Sequence, residues 1–195
     1  PAFKGYGGFP ASACVSVNEV IVHGIPSKSK KLKEGDIVSV DAGAIYQGWY
    51  SDMARTYPVG AISPEAEKLV RVTEESFFEG LKYCVAGNYL SDVSHAIQVH
   101  LESNGFGVIR DYVGHGLGRE MHEQPAVPNY GRPGRGPKLK KGMVLAIEPM
   151  VSAGSYAVEV LADEWTAVTR DGSLAAHYEN TVVITDAEPL VITLL

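Results

Sequence analysis

An internal repeat constrains the fold of this chain more than any other feature of its sequence. Residues 31–41 align without gaps on residues 138–148, at an offset of 107 residues. Each copy has a basic lead-in, a glycine and an apolar run that ends in a carboxylate, Asp41 in the first copy and Glu148 in the second. Such runs also match by chance, but carboxylates at equivalent places favour duplication.

A second pair of segments extends the repeat. Residues 50–54 align on residues 177–181, which places Asp52 opposite Glu179 in the alignment. The offset between these segments is 127 residues, which exceeds the first offset by 20. The second half therefore has about 20 extra residues, and we expect them to form an additional hairpin around 163–171. The predicted architecture is one domain over residues 1–195, with related halves at roughly 1–110 and 111–195.

Composition limits the class of protein. The chain has 195 residues, 45% of them hydrophobic and 21% charged, which is typical of a globular domain and excludes a disordered chain. The net charge of −6 argues against DNA or an anionic membrane as a partner. No apolar run reaches the roughly 20 residues that span a bilayer, and no signal-peptide pattern opens the chain. Cys14 and Cys84 are too few for a disulfide scaffold, so we expect reduced thiols in an intracellular protein.

Two amphipathic helices are predicted in the first half. Ser63-Pro64-Glu65 is a helix start, with a hydroxyl cap and a proline in the first turn, and apolar residues follow at helical spacing until Gly87-Asn88. The second helix starts near Ser91 and ends at Asn104-Gly105. With the strands this gives an α+β fold.

Most of the remaining segments are predicted to be strands, apart from one loop. A Pro- and Gly-rich segment, 125–137, is expected to be an exposed irregular loop between the halves. The predicted strands are two short ones flanking Asn18-Glu19, then 36–43, 49–59, 143–147, 156–161, 165–169, 178–185 and 190–194.

The hairpin that joins 36–43 to 49–59 brings two carboxylates together. A two-residue loop at Gln47-Gly48 places Gly43 opposite Asp52, and Asp41 then points to the same face as Asp52. The two carboxylates lie diagonally across the ladder, about 7–8 Å apart at the backbone, within reach of a shared ion. A loop one residue longer would place them on opposite faces.

Carboxylates on one face of an apolar hairpin require a cation. Arg55 points to the opposite face by parity, so a divalent metal is the better candidate. Glu148 and Glu179 from the second copy would join it, with His115, whose flanking glycines allow close approach. This oxygen-rich set suits two ions of the manganese, iron, cobalt or zinc type. Three other histidines are interpreted as ordinary core or surface residues: His95, His100 and His177.

Several motifs together resemble the methionine aminopeptidases, type I branch, which have the duplicated "pita-bread" fold: a curved antiparallel sheet covered by helices. The motifs are Asn18-Glu19, Val22-His23-Gly24-Ile25-Pro26, Asp41 with Asp52, Gly114-His115-Gly116-Leu117-Gly118, His122-Glu123, Ile147-Glu148-Pro149, and Glu179 with Thr181. The family's leading helix and strand have no counterpart before Pro1 in this sequence. The resemblance implies five metal ligands: Asp41, Asp52, His115, Glu148 and Glu179.

The resemblance also implies roles for these residues. Asp52 and Glu179 would bridge two ions, Asp41 would bind one of them, and the remaining pair, His115 and Glu148, the other. The ions would activate a water molecule and polarise the scissile carbonyl. Glu148 would shuttle the proton to the leaving amine. His122 would contact the substrate and stabilise the tetrahedral intermediate, and His23 would lie beside the scissile amide.

The resemblance also implies a narrow apolar pocket for an N-terminal methionine. From the sequence alone, the side chains at the corresponding positions would be interpreted as ordinary core. Its walls would be Phe3, Tyr6, Phe9, Met121 and Trp165. Two positions depart from the family pattern. Glu164 stands where glycine is expected and affects the turn that holds Trp165. Asn180 stands where histidine is common and leaves the ligand Glu179 intact.

The implied function is removal of the initiator methionine from nascent proteins by a two-metal aminopeptidase. We expect a cytoplasmic monomer, with the ribosome as a candidate partner and the metal open among Co, Mn, Fe and Zn. Two alternatives stay open. One is an Xaa-Pro aminopeptidase of the same fold, and the other is a non-catalytic relative that binds peptides or ribosomes.

Overall fold

A curled antiparallel sheet and two helices make up most of the molecule. The computed structural model describes residues 1–194. The helices are α1 (Pro64–Leu81) and α2 (Leu90–Ser103). The strands are β1 (Cys14–Val17), β2 (Val20–Val22), β3 (Ile37–Tyr46), β4 (Trp49–Pro58), β5 (Gly107–Val108), β6 (Gly114–Gly116), β7 (Glu123–Val127), β8 (Val144–Ile147), β9 (Met150–Ser152), β10 (Val158–Val160), β11 (Ala167–Thr169), β12 (Ala175–His177), β13 (Glu179–Val183) and β14 (Leu190–Val191).

The main sheet has the order β1-β3-β4-β13-β8-β6-β7, with β14 paired to β13. Two smaller sheets, β10-β11-β2 and β12-β9-β5, lie beside it. Helix α1 packs against α2 and against β9 and β12. The main core includes Leu69, Phe77, Ile97, Ile147 and Val182. The predicted α+β pita-bread class is confirmed.

Both helices begin as predicted, but the first is shorter than its pattern suggested. The Ser63 hydroxyl accepts a hydrogen bond from the Ala66 N–H at 3.1 Å, as its place at the cap predicts. Helix α1 ends at Leu81, and the prediction that it continues to Gly87 is wrong. Residues 82–87 turn instead, because Val85 bridges to Thr185 and the Ala86 N–H donates to the Thr185 carbonyl at 2.9 Å. A backbone partner from the sheet thus replaces the next helical turn.

The repeat is visible in matched backbone hydrogen bonds. Gly35 and Gly142 both have positive φ, at 94° and 86°. Their N–H groups donate to the returning strands at the same distance, 2.9 Å, to Val59 and Ile184. Each following residue in turn accepts from that strand. The charged lead-in, glycine and strand therefore form the same turn in both halves, as the alignment predicts.

The Pro- and Gly-rich segment is only partly a loop. Residues 123–127 form β7, which pairs with β6, and Val127 and Asn129 are fully buried. The prediction of an exposed loop from Pro125 is therefore wrong at its start, because strand pairing with β6 satisfies the backbone there. Residues 132–138 are exposed, as expected.

The extra residues of the second half form a hairpin, β10–β11, that pairs with β2. The hairpin begins at Val158, before the predicted 163–171, and the turn between its strands lies at 161–166. Several short strands were not predicted, because two or three residues give too little periodicity. They are β5, β6, β9 and β12. Neither helix of the described residues is long and apolar enough to cross a membrane.

Candidate metal centre

Five neighbouring strands of the main sheet supply the five predicted ligands. Asp41 lies in β3, Asp52 in β4 and Glu179 at the start of β13. Glu148 directly follows β8, and His115 is the middle residue of β6. The strand order places these elements side by side, so residues far apart in sequence converge on one face.

The β3–β4 hairpin has the predicted register. Gly43 pairs with Asp52 across the two-residue turn, and Asp41 pairs with Ala54. On its other side, Ala54 pairs with Glu179 of β13. Directly opposed residues project to the same face, so Asp41 and Glu179 flank Ala54. Asp52, two residues from Ala54, projects to this face as well.

Glycines allow β6 to lie close to its neighbours. A Cβ on Gly114 would clash with the carbonyl oxygen of Ala146, and one on Gly116 would clash with that of Gln124. His115 itself pairs with Ala146 of β8 and with Ala126 of β7. The glycines on both sides of His115 thus have the role predicted from the sequence, which is close approach of the backbone.

The side chains of the cluster lie within reach of shared ions. His115 Nε2 is 3.6 Å from Glu148 Oε1 and 4.0 Å from Asp52 Oδ2. Two groups each have donor atoms within 4.8 Å of one another, and both include Glu179. One is Asp52, His115 and Glu179; the other is Asp41, His177 and Glu179. A residue common to both groups is what a bridging ligand requires.

Burial controls the protonation of this cluster. It raises the pKa of Asp52 to about 7, and it raises the pKa of Asp41 and Glu179 well above the ordinary range, with the Asp52 charge adding to both. Burial and the charges of Asp52 and Asp41 do the same to the pKa of Glu148. For His115 burial lowers the pKa to about 4, so its imidazole is neutral at pH 7.

Divalent cations fit this donor set. Asp41 Oδ1 and Glu179 Oε1 are buried without a hydrogen-bond partner among the described residues. Buried polar atoms are costly to leave unpaired, by about 1–3 kcal/mol each and more when charged. Neutral imidazole and carboxylate oxygens are the donors that manganese, iron, cobalt and zinc accept.

Arg55 does not neutralise the carboxylates. Its guanidinium donates to the carbonyl oxygens of Ala54 and Glu179 at 2.8 and 2.5 Å, and to Asn180 Oδ1 at 2.6 Å. It also lies over the Tyr178 ring, 4.1 Å from its centroid. Arg55 therefore supports the backbone of β13 from the far face, as the parity argument predicts. Asn180, the departure from the family pattern, serves as its acceptor.

His177 was missed by the sequence reasoning. Interpreted there as an ordinary residue, it instead projects into the cluster, with Nε2 3.5 Å from Glu148 Oε2 and 3.8 Å from Glu179 Oε2. Burial lowers its pKa to about 3, which keeps it neutral. The signal was available, because residue 177 lies two positions before Glu179 and alternation places both on one face. His95 and His100 lie in α2, away from the cluster, as expected.

An apolar cavity of about 190 Å³ opens directly onto the carboxylates. Its lining includes every pocket and catalytic residue that the resemblance implied: Phe3, Tyr6, Phe9, His23, Met121, His122, Glu148 and Trp165. Phe3, Phe9 and Met121 are buried, whereas Tyr6 is 43% exposed and stands at the rim. Cys14, a buried free thiol that was not predicted to line the site, also borders the cavity.

Two histidines stand at the cavity beside the cluster. The His122 ring lies 4.2 Å from the His115 ring, centroid to centroid, and its Nδ1 is 2.7 Å from the Tyr6 hydroxyl. His23 packs edge-on against the rings of Tyr112 and Trp165. Its φ of 59° lies in the left-handed region, which a side chain rarely adopts. Such strain concentrates at functional sites.

A tight turn holds Trp165 against the cavity. Asp163 accepts hydrogen bonds from the N–H groups of Trp165 and Thr166 at 3.0 and 2.8 Å, and from the Thr166 hydroxyl at 2.6 Å. Glu164 has a φ of 63°, which explains why glycine was expected there. In this turn the Trp165 ring lies edge-on to the Phe9 ring, with 5.2 Å between their centroids.

Comparison with known proteins identifies the class. Residues 3–186 match metallopeptidase family M24, and the chain belongs to that family. This membership implies divalent metal ions, which the donor cluster fits. Over 194 residues the chain is 64% identical to the methionine aminopeptidase of Clostridium acetobutylicum, covering 100% of this chain and 78% of that protein. The resemblance inferred from the motifs is confirmed.

Solved structures give the same result. A methionine aminopeptidase from Thermotoga maritima superposes with a TM-score of 0.98 at 58% identity, over 99% of this chain and 78% of that one. An X-Pro aminopeptidase from the same organism has a TM-score of 0.72 at 23% identity, over 94% of this chain and 47% of that one. The second likeness shows the shared fold alone.

Proposed function

We propose that this protein is a methionyl aminopeptidase, which removes the N-terminal methionine from peptides and new proteins. The observation that carries the proposal is the cluster of carboxylates and imidazole at one end of an apolar cavity. The cavity is lined by the side chains that the family resemblance assigned to a methionine pocket. High identity to proteins named methionine aminopeptidase, over the whole chain, supports the same activity.

The proposed centre holds two divalent ions. Asp52 and Glu179 would contribute to both ion sites, Asp41 would complete one of them, and His115 with Glu148 would complete the other. When bound, the ions lower the pKa of a water molecule and polarise the scissile carbonyl. Glu179 has donor atoms within 4.8 Å of those of Asp52 and His115 on one side and of Asp41 on the other, which supports two ions sharing this residue. The identity of the ions stays open among Co, Mn, Fe and Zn.

Three side chains carry out the proton and charge movements in this proposal. Glu148 takes the proton of the attacking water and delivers it to the leaving amine. His122 donates to the oxygen that becomes negative, since its ring stands beside His115 and is oriented by the Tyr6 hydroxyl. His23 lies beside the scissile amide and the leaving group.

The cavity determines specificity. Phe3, Tyr6, Phe9, Met121 and Trp165 surround the space where the first side chain of the substrate binds. A methionine side chain is flexible and polarisable, and its thioether makes favourable contacts with aromatic edges. The cavity volume of about 190 Å³ is large enough for one side chain of that size.

We also propose where the enzyme works. Its substrates are new chains that still carry their first methionine, so we place the enzyme in the cytoplasm, with the ribosome as a candidate partner. We also propose that it acts as a monomer. The net charge of −6 disfavours DNA and anionic membranes as partners.

The second candidate is an Xaa-Pro aminopeptidase, a class of enzyme with the same fold. The test is hydrolysis of Met-Ala-Ser against an Xaa-Pro peptide, after metal removal and re-addition of Mn²⁺ or Co²⁺. Methionyl aminopeptidase activity requires metal-dependent release of free methionine. Preference for Xaa-Pro would overturn it, and binding of metal without hydrolysis of either peptide would favour a non-catalytic relative.

Variants separate the roles. Glu148→Ala and His122→Ala should each lower kcat/KM by at least about a hundredfold, because each removes a group that acts on the reacting atoms. His100→Ala is the matched control, since His100 lies in α2 and contacts Glu75, away from the cavity. Full activity of Glu148→Ala would contradict the proposed proton path.

A further inference from the structure

We propose that His177 is a positioning residue that holds Glu148 through a hydrogen bond from Nε2–H to Oε2. The inference rests on the proposed metal centre and adds to it a residue that the family resemblance did not assign. Three structural relations support it: the place of the imidazole, the anchoring of its backbone and the missing partner of its ring nitrogen.

Glu148 lies between two imidazoles. One carboxylate oxygen, Oε1, faces His115 Nε2 at 3.6 Å, and the other, Oε2, faces His177 Nε2 at 3.5 Å. Oxygen Oε1 therefore faces the nitrogen that would share an ion with it. Oxygen Oε2 lies on the side of His177. A carboxylate that both binds metal and moves a proton needs this second oxygen held in place.

The backbone of His177 is fixed on both sides. Its N–H donates to the Thr56 hydroxyl at 3.0 Å, and its carbonyl accepts from the same hydroxyl at 2.9 Å. Thr56 in turn contacts the Ser39 hydroxyl at 2.7 Å. His177 also pairs with Met150 at the end of β12. These contacts leave the imidazole little freedom, and its side chain is 2% exposed.

The ring nitrogen has no other partner. Among the described residues, His177 Nε2 is buried without a hydrogen bond. Its nearest acidic oxygens are Glu148 Oε2 at 3.5 Å and Glu179 Oε2 at 3.8 Å. Buried donors are almost always paired, so a small rotation of Glu148 that closes the shorter gap is favoured. Residues that hydrogen-bond to metal-binding carboxylates orient them and tune the site.

The test compares two substitutions of similar size. Gln keeps an N–H donor near the position of Nε2, whereas Leu removes it and suits a buried site. We expect His177→Leu to weaken Mn²⁺ binding, measured by calorimetry, about 10- to 100-fold and to lower kcat with little change in KM. His177→Gln should stay within about threefold of the wild type in both measurements. Melting temperatures confirm that both variants fold.

Equal behaviour of the Gln and Leu variants, whether both are normal or both are deficient, would overturn the inference. Failure of the wild type to bind metal would instead overturn the metal centre, and this inference with it. A measurement without any variant is NMR of the zinc-loaded protein with ¹⁵N-labelled histidine. It should show a proton on His177 Nε2, and a metal-coordinated or unprotonated Nε2 would overturn the inference.

Discussion

Asp41 and Glu179 lie opposite the same residue, Ala54, from the two strands that flank it. Ala54 is fully buried on the face that carries the carboxylates. Ala54→Leu should therefore displace both carboxylates and weaken Mn²⁺ binding at least about tenfold, with a loss of about 1–3 kcal/mol in the free energy of unfolding. Calorimetry and denaturant unfolding measure the two effects. Ala42→Leu, at an exposed site on the opposite face of β3, is the control, and equal metal binding in both variants would contradict the placement.

The glycine before His115 should tolerate no side chain. A Cβ on Gly114 meets the backbone oxygen of Ala146, which cannot move away without disrupting β8. Gly114→Ala should lower the free energy of unfolding by about 2–3 kcal/mol and weaken metal binding, as His115 shifts. Gly118→Ala is the control, because its Cβ meets only side-chain atoms of Glu123, none closer than 3.1 Å, and no backbone atom. The free energy of unfolding of both variants is measured by chemical denaturation. A Gly114→Ala protein as stable as the wild type would contradict the close packing of β6 against β8.

Metal-free protein should lose stability as the pH rises above about 6.5. Burial holds the pKa of Asp52 at about 7 in the folded state, well above that of an unfolded aspartate. Up to about pH 7 the folded state therefore keeps a proton on Asp52 that the unfolded state has released, and stability falls by up to about 1.4 kcal/mol per pH unit. Above pH 7 the fall continues through Asp41, Glu148 and Glu179, because burial raises the pKa of each well above its ordinary range. His115 has the opposite effect on stability, because burial lowers its folded pKa to about 4. Between about pH 4 and 6.5 the unfolded state binds a proton that the folded state does not, so this contribution rises with pH there and is level above 6.5.

The measurement is the melting temperature between pH 6.5 and 8, with and without Mn²⁺. We expect the metal-free value to decline and the loaded value to stay nearly level, because bound cations stabilise the ionised carboxylates. Asp52→Asn should make the metal-free decline smaller without abolishing it, because Asp41, Glu148 and Glu179 still titrate with raised pKa values. A metal-free melting temperature that rises across this range would contradict the burial of unneutralised carboxylates.

Glu164 should be a site where glycine stabilises the protein. A side chain at φ 63° costs about 1 kcal/mol, which glycine avoids. Glu164→Gly should therefore raise the free energy of unfolding by up to about 1 kcal/mol while KM stays constant, because Asp163 still holds the turn beside Trp165. Asp163→Ala is the contrasting variant and should raise KM. A rise in KM for Glu164→Gly would show that the glutamate itself shapes the pocket.

The part of the site that the sequence predicts rests on period-two alternation and on one turn. Given the two-residue loop at Gln47-Gly48, the register and face of Asp41 and Asp52 follow. Arg55 is placed on the far face by the same rule. The pairing of β4 with β13, which brings Glu179 beside Ala54, depends on contacts between strands over 120 residues apart in sequence, and only the repeat pointed to it.

Other features could not be predicted from the sequence, either because the segment is too short to show a periodic pattern or because a tertiary contact determines it. Strand β6 has three residues, and two of them are glycines, so no alternation identifies it. The end of α1 is set by Thr185, a partner far away in sequence, although the apolar pattern continues to Val85. His177 was within reach of the alternation rule, but an ordinary core role was the commoner interpretation of a lone histidine.

The most direct test of the two-metal centre is anomalous diffraction from crystals soaked in Mn²⁺. We expect two separate anomalous peaks, each next to an oxygen of Glu179, one also bound by Asp41 and the other by His115. A single peak, or none among these residues in crystals that hold manganese elsewhere, would contradict it.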